Sequence, residues 1–71
     1  QGEVKGYELS ENSALKINLR GAMNFIFLYS GAIEVDGLVI NSGELLIYDS
    51  PSPETNIKTH QSGRLVTVSI Q

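Results

Sequence analysis

The sequence predicts an all-β domain, a jelly roll or barrel of short antiparallel strands with no long helix. Three observations predict it. Apolar and polar residues alternate with period two in residues 14–20 and again in residues 65–71, as they do when successive side chains leave a strand on opposite faces. Asp36-Gly37 stands between two β-prone runs, and this dipeptide favours the positive-φ turn whose twist suits a hairpin. No segment carries the three-four spacing of an amphipathic helix over more than two turns, while turn residues recur about every ten residues, the rhythm of a sandwich or barrel.

The elements follow in order. Val4, Tyr7 and Leu9 suggest an edge strand interrupted by Gly6, and residues 10–13 a turn. Leu15, Ile17 and Leu19 form the apolar side of a half-buried strand whose other side is Lys16, Asn18 and Arg20. Residues 24–30 are nearly all apolar or aromatic, which suits a strand covered on both faces. The run is short for a helix, and Gly31 follows it. The hairpin 32–40 turns at Asp36-Gly37, and Asn41-Ser42-Gly43-Glu44 leads into a strand over residues 45–49. Ser50-Pro51-Ser52-Pro53 should break the ladder, because proline lacks the donor and fixes φ. Residues 55–59 read as a short exposed strand with Ile57 inward, and Gln61-Ser62-Gly63-Arg64 as a turn. The last strand holds Leu65, Val66, Val68 and Ile70 with Thr67, Ser69 and Gln71, and its β-branched residues suit a pleated surface.

Length limits the chain to a single domain, residues 1–71. A domain of this size buries only about 60% of the surface its unfolded chain exposes, so it needs a staple or a partner. With no cysteine, disulfides and thiolate zinc sites are excluded. Five basic against eight acidic residues give a net charge of −3, without the basic footprint that nucleic acid requires. The apolar runs are far too short to span a bilayer as helices. Gln1-Gly2-Glu3-Val4 does not resemble the charged start and apolar core of a signal peptide, and cytoplasm is the expected compartment. The first residue is Gln1 and not Met, which leads to the expectation of a fragment or half of a larger protein.

The stretch from Phe25 to Gln71 resembles the cupin pattern. Phe25-Ile26-Phe27-Leu28-Tyr29-Ser30-Gly31 is similar to the glycine-terminated strand that closes the first cupin motif. Ala32-Ile33-Glu34-Val35-Asp36-Gly37 is similar to the hairpin after it, and Ser42-Gly43-Glu44-Leu45-Leu46-Ile47 to the step opening the second motif. Within cupins the chain resembles the C-terminal half of pirin-like proteins, through the alternating strand at 14–20, the hairpin and the apolar final strand. The resemblance covers most of the chain on loose motifs. It implies a bicupin whose metal belongs to the N-terminal half. Active cupins take histidines and a glutamate at positions that here hold Asn18, Arg20, Asn24 and Glu54. None is the ligand type of its position, so no metal or cofactor is expected on this chain.

The remaining chemistry is thin. His60 is the only histidine, and one imidazole without a cluster does not hold a transition metal; a solvated surface position is expected. Ser50, Ser52, Ser62 and Ser69 sit in turn-forming contexts, none in a nucleophile elbow. Glu34 and Asp36 share a face by period two, but the turn explains Asp36 and water explains Glu34. Glu44 and Asp49 bracket an apolar strand as charges that deter aggregation. The glycines form no phosphate loop, since no helix follows any of them. Phe25, Phe27 and Tyr29 alternate on one side of a strand. With Tyr48 they are the candidate lining of a ligand cavity, against a plain core role. Lys16, Asn18 and Arg20 form a polar stripe that could meet an acidic partner or simply face water.

Three functions remain open at this point. The first is a non-catalytic β domain packed against a partner half or a second subunit, which requires a large apolar face on the isolated chain. The second is a small-molecule sensor cupin of a regulator. The third places a pirin-like dioxygenase activity outside this segment. The balance points away from catalysis by these residues.

Overall fold

The computed structural model describes residues 1–71. It contains six strands and no helix: β1 (Gly2–Leu9), β2 (Ala14–Leu19), β3 (Met23–Val35), β4 (Leu38–Asn41), β5 (Leu45–Tyr48) and β6 (Ser52–Ile70). No helix is long and apolar enough to cross a membrane.

The two long strands organise everything else. β3 and β6 run antiparallel, from Met23 opposite Ile70 to Val35 opposite Ile57. β1 and then β2 follow the other edge of β6, with Val4 opposite Val68 and Ile17 opposite Thr55. β4 and then β5 follow the other edge of β3, with Ile33 opposite Ile40 and Ile26 opposite Leu46. Four ribbons result, and a line across their middle passes through the turn at 10–13, residues 61–63, residues 30–31 and the turn at 42–44. The sheet folds along that line into two four-stranded leaves. The first leaf is β1, residues 63–70, residues 23–28 and β5; the second is β2, residues 52–61, residues 32–35 and β4.

The apolar residues between the leaves drive the folding. One buried cluster takes Leu9, Ile26, Leu28 and Leu65 from the first leaf and Ile17, Leu19, Ile33, Val35, Ile40 and Ile57 from the second. Each such side chain contributes about 1.5–3 kcal/mol when it leaves water. The all-β, jelly-roll expectation is met.

The corner has a sequence cause. Between the Leu28–Leu65 and Ile33–Thr59 pairs, β3 advances five residues while β6 advances six. The odd step on β3 reverses which alternate residues face inward. Asn24, Ile26 and Leu28 are buried before it, Ile33 and Val35 after it. On β6 the even step leaves the phase unchanged, so Thr55, Ile57, Thr59, Leu65, Thr67 and Ser69 all face in. Two glycines let the strands pass this closely. Gly31 has φ +93°, and a Cβ there would lie 2.6 Å from the Gln61 carbonyl oxygen; one at Gly63 would overlap the Ser30 carbonyl.

The open end, away from the corner, is tied by polar groups. Asn24 Oδ1 accepts from the Gly21 N–H at 2.9 Å, and Nδ2 donates to the carbonyls of Gly21 (2.9 Å) and Ser50 (3.1 Å). Across the leaves, the Tyr48 hydroxyl donates to Asp36 Oδ2 at 3.2 Å. Asp36 Oδ1 accepts from the Asn56 N–H at 2.9 Å. The Asp36-Gly37 turn has φ values of 48° and 87°, the double positive φ expected of that dipeptide.

Several local expectations are corrected. Residues 55–59 are not an exposed strand; they form the buried centre of the second leaf, with Thr55, Ile57 and Thr59 all inside. Residues 61–64 do not turn, because Gly63 lets β6 bend without ending. The expected break after β5 is present, since no strand covers residues 49–51, but it ends early: Ser52 and Pro53 already belong to β6, and Pro53 falls in the register shift opposite Ile17–Leu19, where proline is tolerated. Gly6 does not interrupt β1, which pairs with β6 residue by residue from Gly2 to Leu9.

Candidate functional site

The four positions where a cupin would hold its metal ligands do not converge. Asn24 is fully buried and spends its amide on the backbone of two connecting segments. Asn18 and Arg20 are exposed, on the side of residues 14–20 opposite the buried Ile17 and Leu19. Glu54 is exposed and lies 3.5 Å from Lys16. No group of three or more histidine, cysteine, aspartate or glutamate side chains is gathered anywhere in the chain.

The four aromatic residues do not share one cavity either. Phe25, Phe27 and Tyr29 lie on the outer face of the first leaf, because Ile26 and Leu28 between them take the inner one. Phe27 and Tyr29 pack edge to face with centroids 5.0 Å apart. Tyr48 lies on the inner side, opposite Asn24, and packs against the core. Burial, then the Asp36 charge, then its hydrogen bond raise the Tyr48 pKa above its ordinary value of 10.0. Of the four, Tyr29 borders an open hollow of about 470 Å³, beside Gly6, Glu8, Arg64 and Val66.

The polar candidates are on the second leaf. His60 is exposed as expected, and its Nε2 lies 3.3 Å from Glu34 Oε2. Glu34 is thus half-covered by a neighbour and not simply bathed in water. A shallow groove of about 630 Å³ crosses this leaf between Lys16, Lys58, Glu34 and Asn56. Of the serines weighed above, Ser52 Oγ accepts from the Thr55 hydroxyl at 2.7 Å and Ser69 is buried inside the first leaf; three others hold the backbone. Ser13 donates to the Ser10 carbonyl, Ser42 to that of Tyr29, and the Ser30 hydroxyl accepts from the Arg64 N–H.

The outer face of the first leaf is the largest feature. One row across it is Val4, Val68, Phe25 and Ile47; the next is Gly6, Val66, Phe27 and Leu45; beyond them Ile70 stands opposite Met23. Val4, Met23, Tyr29, Leu45, Ile47 and Ile70 are between 38% and 70% exposed. Behind them, the inner side of the same leaf carries buried Asn24, Thr67 and Ser69 together with Ile26 and half-buried Leu46. In this part of the leaf the more apolar side faces out. Residues Val4, Leu45, Ile47, Val66, Val68 and Ile70 had no functional role on sequence grounds. The signal was present in residues 24–30, whose apolar character on both phases fits a strand covered on both faces. Residues 65–70 are apolar on both phases only at Leu65-Val66, which leaves the direction of the face undetermined.

Comparison with known proteins gives a likeness of structure. No family model matches the sequence, and no curated protein matches it. The Clostridium difficile EutQ protein superposes with a TM-score of 0.61 at 15% identity, over 94% of this chain and 67% of that one. EutQ has the cupin fold. At that identity the likeness is one of fold, and the fold of this chain is a cupin-like β domain.

Proposed function

We propose that this chain is a non-catalytic cupin-like assembly domain, whose first leaf is covered on its outer side by a partner half or subunit. The reading follows the resemblance to the metal-free C-terminal half of pirin-like proteins, and makes the chain one half of a larger bicupin or one subunit of an oligomer. The observation that carries it is the apolar outer face from Val4 to Ile47, backed by buried threonine, serine and asparagine. Solvated sheets place these residue types the other way round. Any dioxygenase activity of a parent protein would then belong to residues outside this chain. The groove between Lys16, Lys58, Glu34 and Asn56 supports a second reading, a small-molecule-binding sensor module. In that reading Lys58→Ala abolishes the ligand's thermal protection.

The test compares the wild-type chain with the Leu45→Glu/Ile47→Glu double variant. Both side chains are more than half exposed, so the fold should tolerate the change. The reading expects the variant to differ from wild type in assembly state or in the binding of an apolar fluorescent dye. Identical behaviour in both measurements contradicts a covered face.

A further inference from the structure

We infer that the occupant of this face is a second copy of the chain, docked leaf to leaf about a two-fold axis; the inference rests on the reading that the face is covered. Three observations lead there. The first is area. The six exposed side chains, with half-covered Phe25, Phe27, Val66 and Val68, present a contiguous apolar face of roughly several hundred Å², at the upper end of what a monomer leaves open. A standard interface buries about 800 Å² per partner, so one copy covers another without surplus.

The second observation is charge. No charged residue lies in the rows from Val4 to Ile47, from Gly6 to Leu45, or at the Ile70–Met23 pair. At the edge, Arg64 lies 3.7 Å from Glu8 of its own chain. A basic or acidic partner would find nothing to select it. A two-fold mate asks only that the face be complementary to itself, and an uncharged apolar face with an internally paired rim meets that condition.

The third is shape. Gly6 removes a side chain from the middle of the β1 edge, leaving the hollow beside Tyr29. Two sheets packed face to face lie about 10 Å apart with strands nearly aligned, a separation at which side chains interdigitate. Each hollow then receives an apolar side chain of the mate, and the same contact repeats by symmetry.

Light scattering and sedimentation from micromolar to millimolar concentration test this. The expected mass is twice the 7.7 kDa of one chain. Leu45→Glu/Ile47→Glu should raise the dissociation constant at least about tenfold while circular dichroism stays unchanged. Val39→Glu, on exposed β4 of the other leaf, should leave the mass at the dimer value. A wild-type monomer across the range overturns the second copy. So does a dimer indifferent to the double variant. A monomer that binds apolar dye through the face preserves the covering reading with a different occupant, whereas a monomer that binds none removes both.

Discussion

At the scale of single residues, the buried Thr59 and the half-buried Tyr48 are polar groups in different situations. The Thr59 hydroxyl is buried without a hydrogen-bond partner, so it carries its desolvation cost with nothing to offset it. Thr59→Val keeps the shape and removes that cost; the domain should gain about 1 kcal/mol in a urea titration, and a loss would mean the hydroxyl has a partner. Tyr48 is a phenol held neutral by partial burial and by Asp36. Its folded pKa lies above the unfolded value of about 10, so the unfolded chain releases its proton first. The stabilisation is complete below about pH 10 and is lost as pH rises through the folded value. Subtracting the stability curve of Tyr48→Phe from wild type should leave a difference that is flat below that pH and falls above it. A difference that rises there would reverse the assignment. These details were not legible in the sequence, because they depend on which strands become neighbours.

At the scale of elements, local chemistry was readable and continuity was not. Asp36-Gly37 specifies its hairpin through two positive φ values, and Leu15, Ile17 and Leu19 specify the inner side of β2. Gly31 and Gly63 look like the same kind of punctuation, yet both strands run through them. What separates a turn glycine from a corner glycine is the distant backbone it meets, Ser30 against Gly63 and Gln61 against Gly31. The two classes should respond differently to substitution. Gly37 has open space around it, so Gly37→Ala should cost about 1 kcal/mol, from positive φ alone. Gly63→Ala forces two backbones apart and should cost about 3 kcal/mol or more. Equal costs would mean that the corner is not a close backbone crossing. The corner also fixes the phase of every residue beyond it. Period two says that Val66, Val68 and Ile70 share a side; only the continuity of β6 from Thr55 to Ser69 says that the side is outward.

At the scale of the whole molecule, the domain is a folded four-ribbon sheet with a complete interior and an apolar exterior on one leaf. Ten buried aliphatic side chains are a small core for a chain with no disulfide. In the proposed assembly, covering the outer leaf would add a second apolar layer for Phe25, Phe27, Ile47 and Val68, which the fold turns away from its own centre. The cupin ligand positions fit the same picture: an exposed amide, an exposed guanidinium, a buried amide and a surface carboxylate serve solvent, backbone and a lysine. The jelly-roll class was legible from alternation and turn spacing. The face was not, since its role is defined by what lies outside the chain. Accessibility of methyl groups to a dissolved paramagnetic probe, followed by NMR on dilution, measures it most directly. Methyls of Ile26, Leu28, Ile57 and Leu65 should stay shielded at every concentration. Those of Val4, Leu45, Ile47 and Ile70 should be shielded when concentrated and become exposed on dilution. Shielding of Val4 and Ile47 that persists in the dilute monomer would contradict an outward apolar leaf.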